Sequence, residues 1–252
     1  MHRLELADAQ LDSPLGRVSP VVKLAIAFGW LVGLALTVRI VPPLILAAVA
    51  LVAGLVLGSI PWRSLARSLA PLWIAALGVG LSNTLFAAAN GDPLATELIR
   101  IGPARITAEG LNGGLALAAR VVAIASVGAV FTLTTDSTRL ADSLVQQAHV
   151  SPRFAYGALA AYQAIPRFGE DLAALRQARR VRGLAGGWHP GLLVGVLVLA
   201  IRHGDRMALA MDARAFGSGA RTFYRRVAWT GLDAVVAAAA LAVLVAVLLA
   251  AG

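Results

Sequence analysis

The stretch LNGGLALAARVVAIASVGAVFTL, Leu111 to Leu133, holds 23 residues and a single charge, Arg120. A helix of that length crosses the roughly 30 Å of hydrocarbon in a bilayer. Four more apolar runs flank it: Val21 to Val38, Ile40 to Ile60, Leu69 to Ala89 and Ala234 to Ala251. Pro42 and Pro43 mark a tight turn between the first two, at a helix start where a missing N–H costs nothing. Those two runs therefore read as a helical hairpin. A polar turn, Asn90-Gly91-Asp92-Pro93, opens a loop that continues to about Glu109. Composition agrees: of 252 residues, 59% are hydrophobic and 14% charged, and mean hydropathy is +0.78. Soluble domains run at about half apolar and a quarter charged. The expected fold is an all-α membrane protein of about five transmembrane helices.

Charge supplies the orientation. The formal charge is +9, and Lys23 is the only lysine among 22 basic residues. Eighteen of them fall on one side of the expected spans: Arg3, Arg17, Lys23, Arg63, Arg67 and the 13 arginines from Arg139 to Arg226. Only Arg39, Arg100 and Arg105 fall on the other. The positive-inside rule places the richer side in the cytoplasm. Met1 to Val18 is mixed in charge, with Glu5, Asp8 and Asp12 where a signal peptide needs its apolar run. The expected organisation is a four-span region at 1–133, a basic cytoplasmic region at 134–228 and a last span within 229–252.

The basic region opens with Thr134-Thr135-Asp136-Ser137-Thr138, whose side-chain oxygens suit a helix start. A long helical pattern follows from about Pro152 to Arg182, with Pro166 predicted to kink it. Its arginines Arg176, Arg179 and Arg180 lie three and four apart. It ends Val181-Arg182-Gly183, with Gly186-Gly187 beyond. A second helix of the same design runs from Leu192 to Arg214 and ends Ala213-Arg214-Ala215-Phe216-Gly217. Its opening apolar run, Leu192 to Ile201, is too short to span and reads as amphipathic helix at the membrane surface. Glycine past a helix end supplies the left-handed cap, and arginine in the last turn complements the helix dipole.

Two arginine-tipped helices in tandem carry a resemblance. The sequence resembles the transmembrane coupling subunit of energy-coupling factor transporters, the T component, and the related cobalt-transport permease. That family has two Ala-Arg-Gly signatures, each near the end of a cytoplasmic coupling helix. The first is matched by Ala178-Arg179-Arg180-Val181-Arg182-Gly183, with Val181 for alanine. The second is matched by Ala213-Arg214-Ala215, with Ala215 for glycine; alanine resists the positive φ that glycine takes freely. Gly219-Ala220-Arg221-Thr222, Ser19-Pro20-Val21-Val22-Lys23-Leu24, Thr134-Thr135 and Ala164-Ile165-Pro166 extend the likeness along nearly the whole chain.

The resemblance implies two ATP-binding-cassette ATPase subunits as partners, docked on Val181, Arg182, Gly183, Ala213, Arg214 and Ala215, with Arg179, Arg180 and Arg221 in support. It implies a substrate-binding S component in the bilayer, a prokaryotic cell membrane, and vitamin, precursor, cobalt or nickel as cargo. ATP and magnesium belong to the ATPases and no cofactor to this chain. The residues agree by omission: no Gly-x-x-x-x-Gly-Lys-Ser/Thr loop is present, and His2, His149, His189 and His203 lack metal-ligand spacing. No catalytic or metal residue is expected, and the chain's basic character is assigned to topology rather than to nucleic acid. The basic clusters Arg176 to Arg182 and Arg225-Arg226 also suit anionic lipid head groups. The competing reading is a self-sufficient secondary transporter or membrane enzyme with a basic lipid-facing collar, which would place ionisable groups at mid-span. Only Arg120 does so here. Antiparallel packing of the third and fourth spans predicts that it pairs near Ser82-Asn83-Thr84, a structural role shared with Asn83. The Gly29/Gly33, Gly54/Gly58 and Gly191/Gly195 pairs suit close helix approach.

Overall fold

Apolar runs become the helices of the first unit, in a computed structural model that describes residues 12–92, 94–101, 104–184, 188–219, 222–223 and 225–251. The N-terminal reading of Met1 to Leu11, the Gly186-Gly187 pair and Arg221 lie outside those residues. The chain divides into two compact units, Met1–Leu140 with Val227–Gly252, and Ala141–Arg226.

In the first unit a short helix α1 (Pro14–Arg17) precedes α2 (Pro20–Ala35), α3 (Val41–Val56), α4 (Trp62–Leu85) and α5 (Ala108–Thr134), and α9 (Gly231–Ala251) closes it. Among the described residues α4, α5 and α9 are long and apolar enough to cross a membrane. The apolar helices α2 and α3 have 16 residues each, about 24 Å of rise. Arg63 and Arg67 lie in the first turns of α4, which begins ahead of the apolar run at Leu69. There the Arg63 guanidinium lies 5.7 Å from the centre of the Trp62 ring.

Helix α5 is the centre of this unit, and small residues make it so. It buries Gly114, Ala116, Ala119, Ala123, Ala125 and Ser126, and its pairing with α4 is the most extensive between helices. A Cβ at Gly80 would lie 2.9 Å from Ala118 Cβ, and one at Gly114 only 2.6 Å from the Gly80 carbonyl oxygen. The two backbones touch because neither glycine has a side chain. Of the glycine pairs singled out in the sequence, Gly33 packs on Leu244 and Gly54 on Val130, whereas Gly29 has open space. Two apolar cores result: Trp30, Leu34, Leu46, Ala47, Ala50, Ala123 and Val247 in one, and Leu15, Ile60, Leu65, Leu69, Ala125 and Val130 in the other. Large side chains such as Phe28, Ile74 and Leu249 point outward, more than 65% exposed, as a face bathed in hydrocarbon allows.

Between α4 and α5 the expected loop contains a two-stranded antiparallel hairpin, β1 (Glu97–Ile101) and β2 (Ala104–Thr107). Asn90 joins it to both helices. Its Nδ2 donates to Thr84 O at 2.7 Å, and its Oδ1 accepts from Thr107 N at 3.1 Å and Thr107 Oγ1 at 2.9 Å. Thr107 in turn caps α5 by accepting from Gly110 N at 3.1 Å.

The second unit holds the end of α6 (Ser137–Gln146), then α7 (Pro152–Val181) and α8 (Pro190–Ala213), which pack together. Asp136 supplies the cap expected at the start of α6, its Oδ2 accepting from Arg139 N at 3.0 Å. Helix α7 continues through Pro166, and Gly195 of α8 admits the Leu175 side chain of α7.

Candidate functional site

The two long helices of the second unit end identically. In α7, Gly183 N donates to Arg180 O at 3.0 Å and Leu184 N to Arg179 O at 3.1 Å. In α8, Ala215 N donates to Asp212 O at 2.9 Å and Phe216 N to Met211 O at 2.9 Å. Both are the paired 5→2 and 6→1 bonds of a Schellman closure. The residue at the closing position has positive φ in each case, 71° at Gly183 and 53° at Ala215. Arg182 and Arg214 therefore occupy the same structural position, the last half-helical residue before the chain turns left-handed, with φ of −81° and −94°. Both side chains are exposed, as are Ala213 and Ala215, and Val181 beside Arg182 is 89% exposed.

Alanine at 215 does not change the turn; it adopts the conformation that glycine would. A left-handed alanine costs about 1 kcal/mol or somewhat more, which bonds of the closure offset. Opposite substitutions should then have opposite signs. Ala215→Gly is expected to stabilise the second unit by about 1 kcal/mol and Gly183→Ala to destabilise it by a similar amount. No atom lies within 4 Å of a Cβ at Gly183, so backbone strain alone sets that cost. Thermal unfolding of the two variants in detergent checks both signs.

The start of α7 braces the end of α8. Arg153 Nη2 donates to Gly217 O at 3.3 Å, and the Tyr156 ring meets Phe216 edge-on, centroids 6.3 Å apart. Tyr156 Oη donates to Asp142 Oδ1 at 2.7 Å. Sequence reasoning missed Arg153, Tyr156 and Asp142, because partners 14 to 64 residues apart leave no local signature. Burial, and then the bond to Asp142, push the Tyr156 hydroxyl up from its ordinary 10.0 to about 12. A raised folded-state pKa means stability that is complete below pH 10 and lost as pH climbs through 12. Tyr156→Phe is expected to cost about 1 kcal/mol at neutral pH and to flatten that alkaline decline in a pH series of melting temperatures.

Arg179 is half-buried and Arg180 exposed, and the carbonyls of both are consumed by the helix closure. Among the described residues, no group of three His, Cys, Asp or Glu could hold a metal ion.

Arg120 is half-buried on α5, and its Nη2 donates to the Thr37 carbonyl oxygen just beyond α2. The expected partners Ser82, Asn83 and Thr84 do not receive it. The physical reason is register: Thr84 packs against Gly114, six residues from Arg120. Thr84 Oγ1 donates within its own helix to Gly80 O at 2.9 Å, and Asn83 Nδ2 faces Gly113. At the other end of the same helix pair, Lys23 Nζ donates to Thr134 O at 2.7 Å. Each helix thus lends a cation to the C-terminal carbonyls of the other. The spacing is 14 residues on both, Lys23 to Thr37 and Arg120 to Thr134, so the α2–α3 hairpin stops level with Arg120.

A bundle of apolar helices, together with a basic helical unit whose two long helices end in matched arginine tips, defines a multi-pass membrane protein. The sequence model of the CbiQ family, described as cobalt transport protein, matches residues 12–224, and the chain belongs to that family. It is 29% identical over 246 residues to the energy-coupling factor transporter transmembrane protein EcfT of Heliobacterium modesticaldum, covering 88% of each chain. It is 28% identical over 258 residues to the EcfT protein of Limosilactobacillus fermentum, covering 94% of this chain and 92% of that one. A putative ABC transporter ATP-binding protein of Bifidobacterium longum shares 27% identity over 203 residues, which is 72% of this chain and 25% of that protein. The chain is accordingly a membrane component of the EcfT/CbiQ energy-coupling transporter type.

Proposed function

We propose that this chain is the non-catalytic coupling subunit of an ATP-driven importer in a prokaryotic cell membrane. Arg182 and Arg214 dock into grooves on two ATPase subunits, which bind ATP and magnesium. The bundle holds a substrate-binding S component that takes up a vitamin or a transition metal ion. The observation that carries this reading is the pair of identical helix closures, each presenting an exposed arginine at the same position. One such end is an ordinary dipole partner; two in tandem make a two-pronged plug. A guanidinium keeps its charge and offers five donors in a fixed fork, suited to carboxylates and carbonyls lining a groove. The likeness to part of a putative ABC ATP-binding protein supports an ATPase partner.

The test is affinity capture of the tagged chain from its native membrane, with mass spectrometry of what accompanies it. Two P-loop ATPases and a small hydrophobic protein are expected, and the last identifies the cargo. Absence of any ATPase after mild cross-linking refutes the reading and leaves the basic unit as a lipid-binding collar.

A further inference from the structure

The first unit is discontinuous: the chain leaves it after Leu140 and returns at Val227. Two tethers therefore join it to the arginine-tipped helices, one through Thr134 to Leu140, the other through Val227 to Asp233. Both are held by one short segment, Gly16 to Lys23. On the outgoing tether, Lys23 Nζ donates to Thr134 O at 2.7 Å, and Arg139 Nη1 donates to Gly16 O at 2.9 Å. On the returning tether, Ser19 N donates to Asp233 Oδ1 at 2.6 Å. The other carboxylate oxygen, Oδ2, accepts from Thr230 N at 2.8 Å and Thr230 Oγ1 at 3.0 Å, closing the start of α9.

Lys23 is 7% exposed and Asp233 2%. Burying an ammonium and a carboxylate is expensive unless their hydrogen bonds are made, and apolar residues would hold two helices together at lower cost. What the polar groups add is geometry: directional bonds fix where each tether starts, in a way that lipid-facing apolar contact cannot. Each bond to the Gly16 to Lys23 segment crosses between elements far apart in sequence, so neither tether can shift without breaking one.

We propose that Lys23 and Asp233 are positioning residues for coupling, making Gly16 to Lys23 a clasp through which motion of the second unit enters the membrane bundle by both tethers at once. This rests on the coupling role proposed above. Force delivered at Arg182 and Arg214 reaches the bundle along the two tethers. A shared clasp makes the two tethers act as a single lever on α2 and its hairpin.

The chain has no cysteine, so Ala174→Cys on α7 and Phe86→Cys beyond α4 provide clean spin-label sites. The distance between them is measured in the complex captured with its ATPases, with no nucleotide and with a non-hydrolysable ATP analogue. The wild-type pair is expected to shift on nucleotide binding. Asp233→Asn and Lys23→Met should assemble and hydrolyse ATP at the wild-type rate while the shift falls at least twofold, and Lys23→Arg should restore it. Where a buried variant fails to assemble, Arg139→Gln removes one bond from the half-buried rim and is held to the same criterion. A full shift in the variants, or loss of assembly, hydrolysis and shift together, overturns the clasp. No shift in the wild type overturns the coupling role itself.

Discussion

Lysine in place of Arg182 or Arg214 is expected to cut ATP-driven uptake at least about tenfold, and the double replacement to abolish it. The size follows from the hydrogen bonds. A charge-assisted bond contributes about 1.5–3 kcal/mol, and lysine keeps the charge while losing the planar fork that makes two such bonds at once. One lost bond of that strength is a change of roughly ten- to a hundredfold in the occupancy of a groove. Lysine and arginine have nearly equal helix propensity, and both sites are exposed, so the helices and their closures persist. The check is uptake into proteoliposomes holding the captured complex, alongside its ATPase rate. Full uptake by both single variants would sink the forked-arginine mechanism.

The prediction rests on two arginines being equivalent, and that equivalence was only half legible in the sequence. Gly183 announces a left-handed closure; Ala215 argues against one, and the structure closes the turn there regardless. The 6→1 and 5→2 bonds and the Phe216 contact to Tyr156 over-determine the turn, so local preference gives way to tertiary packing. The helices themselves were readable because hydrophobic runs and proline positions are local signals. Their ends moved by a few residues, as at α4, where Trp62 to Arg67 winds into the helix. The hairpin at Glu97 to Thr107 was missed although Ile99, Ile101, Ile106 and Thr107 are β-branched and Gly102-Pro103 sits between them. Strands of five and four residues carry too few alternations to stand out from a polar loop. Pairings across the chain left no trace at all: the clasp bond from Ser19 to Asp233 joins residues 214 positions apart.

Arg120 tests the same distinction between local cost and tertiary gain. A charge near the centre of a span costs about 2.5 kcal/mol or more on insertion, so Arg120→Met is expected to make α5 enter the membrane more readily. The folded bundle should respond in the opposite direction. Arg120 is the donor to the Thr37 carbonyl at the end of α2, where Thr37 is 5% exposed. Without it that carbonyl loses its donor at the depth of the bilayer, where an unsatisfied backbone group costs several kcal/mol. The folding loss therefore exceeds the insertion gain. The expected signature is a split result: higher insertion efficiency for the isolated α5 segment, and lower resistance of the whole protein to heat and denaturant in lipid nanodiscs. Arg120→Lys, which keeps a donor, should recover part of the lost stability. A methionine variant as stable as wild type would show that the α2–α3 hairpin does not depend on being capped from α5, and that Arg120 is kept for some other purpose.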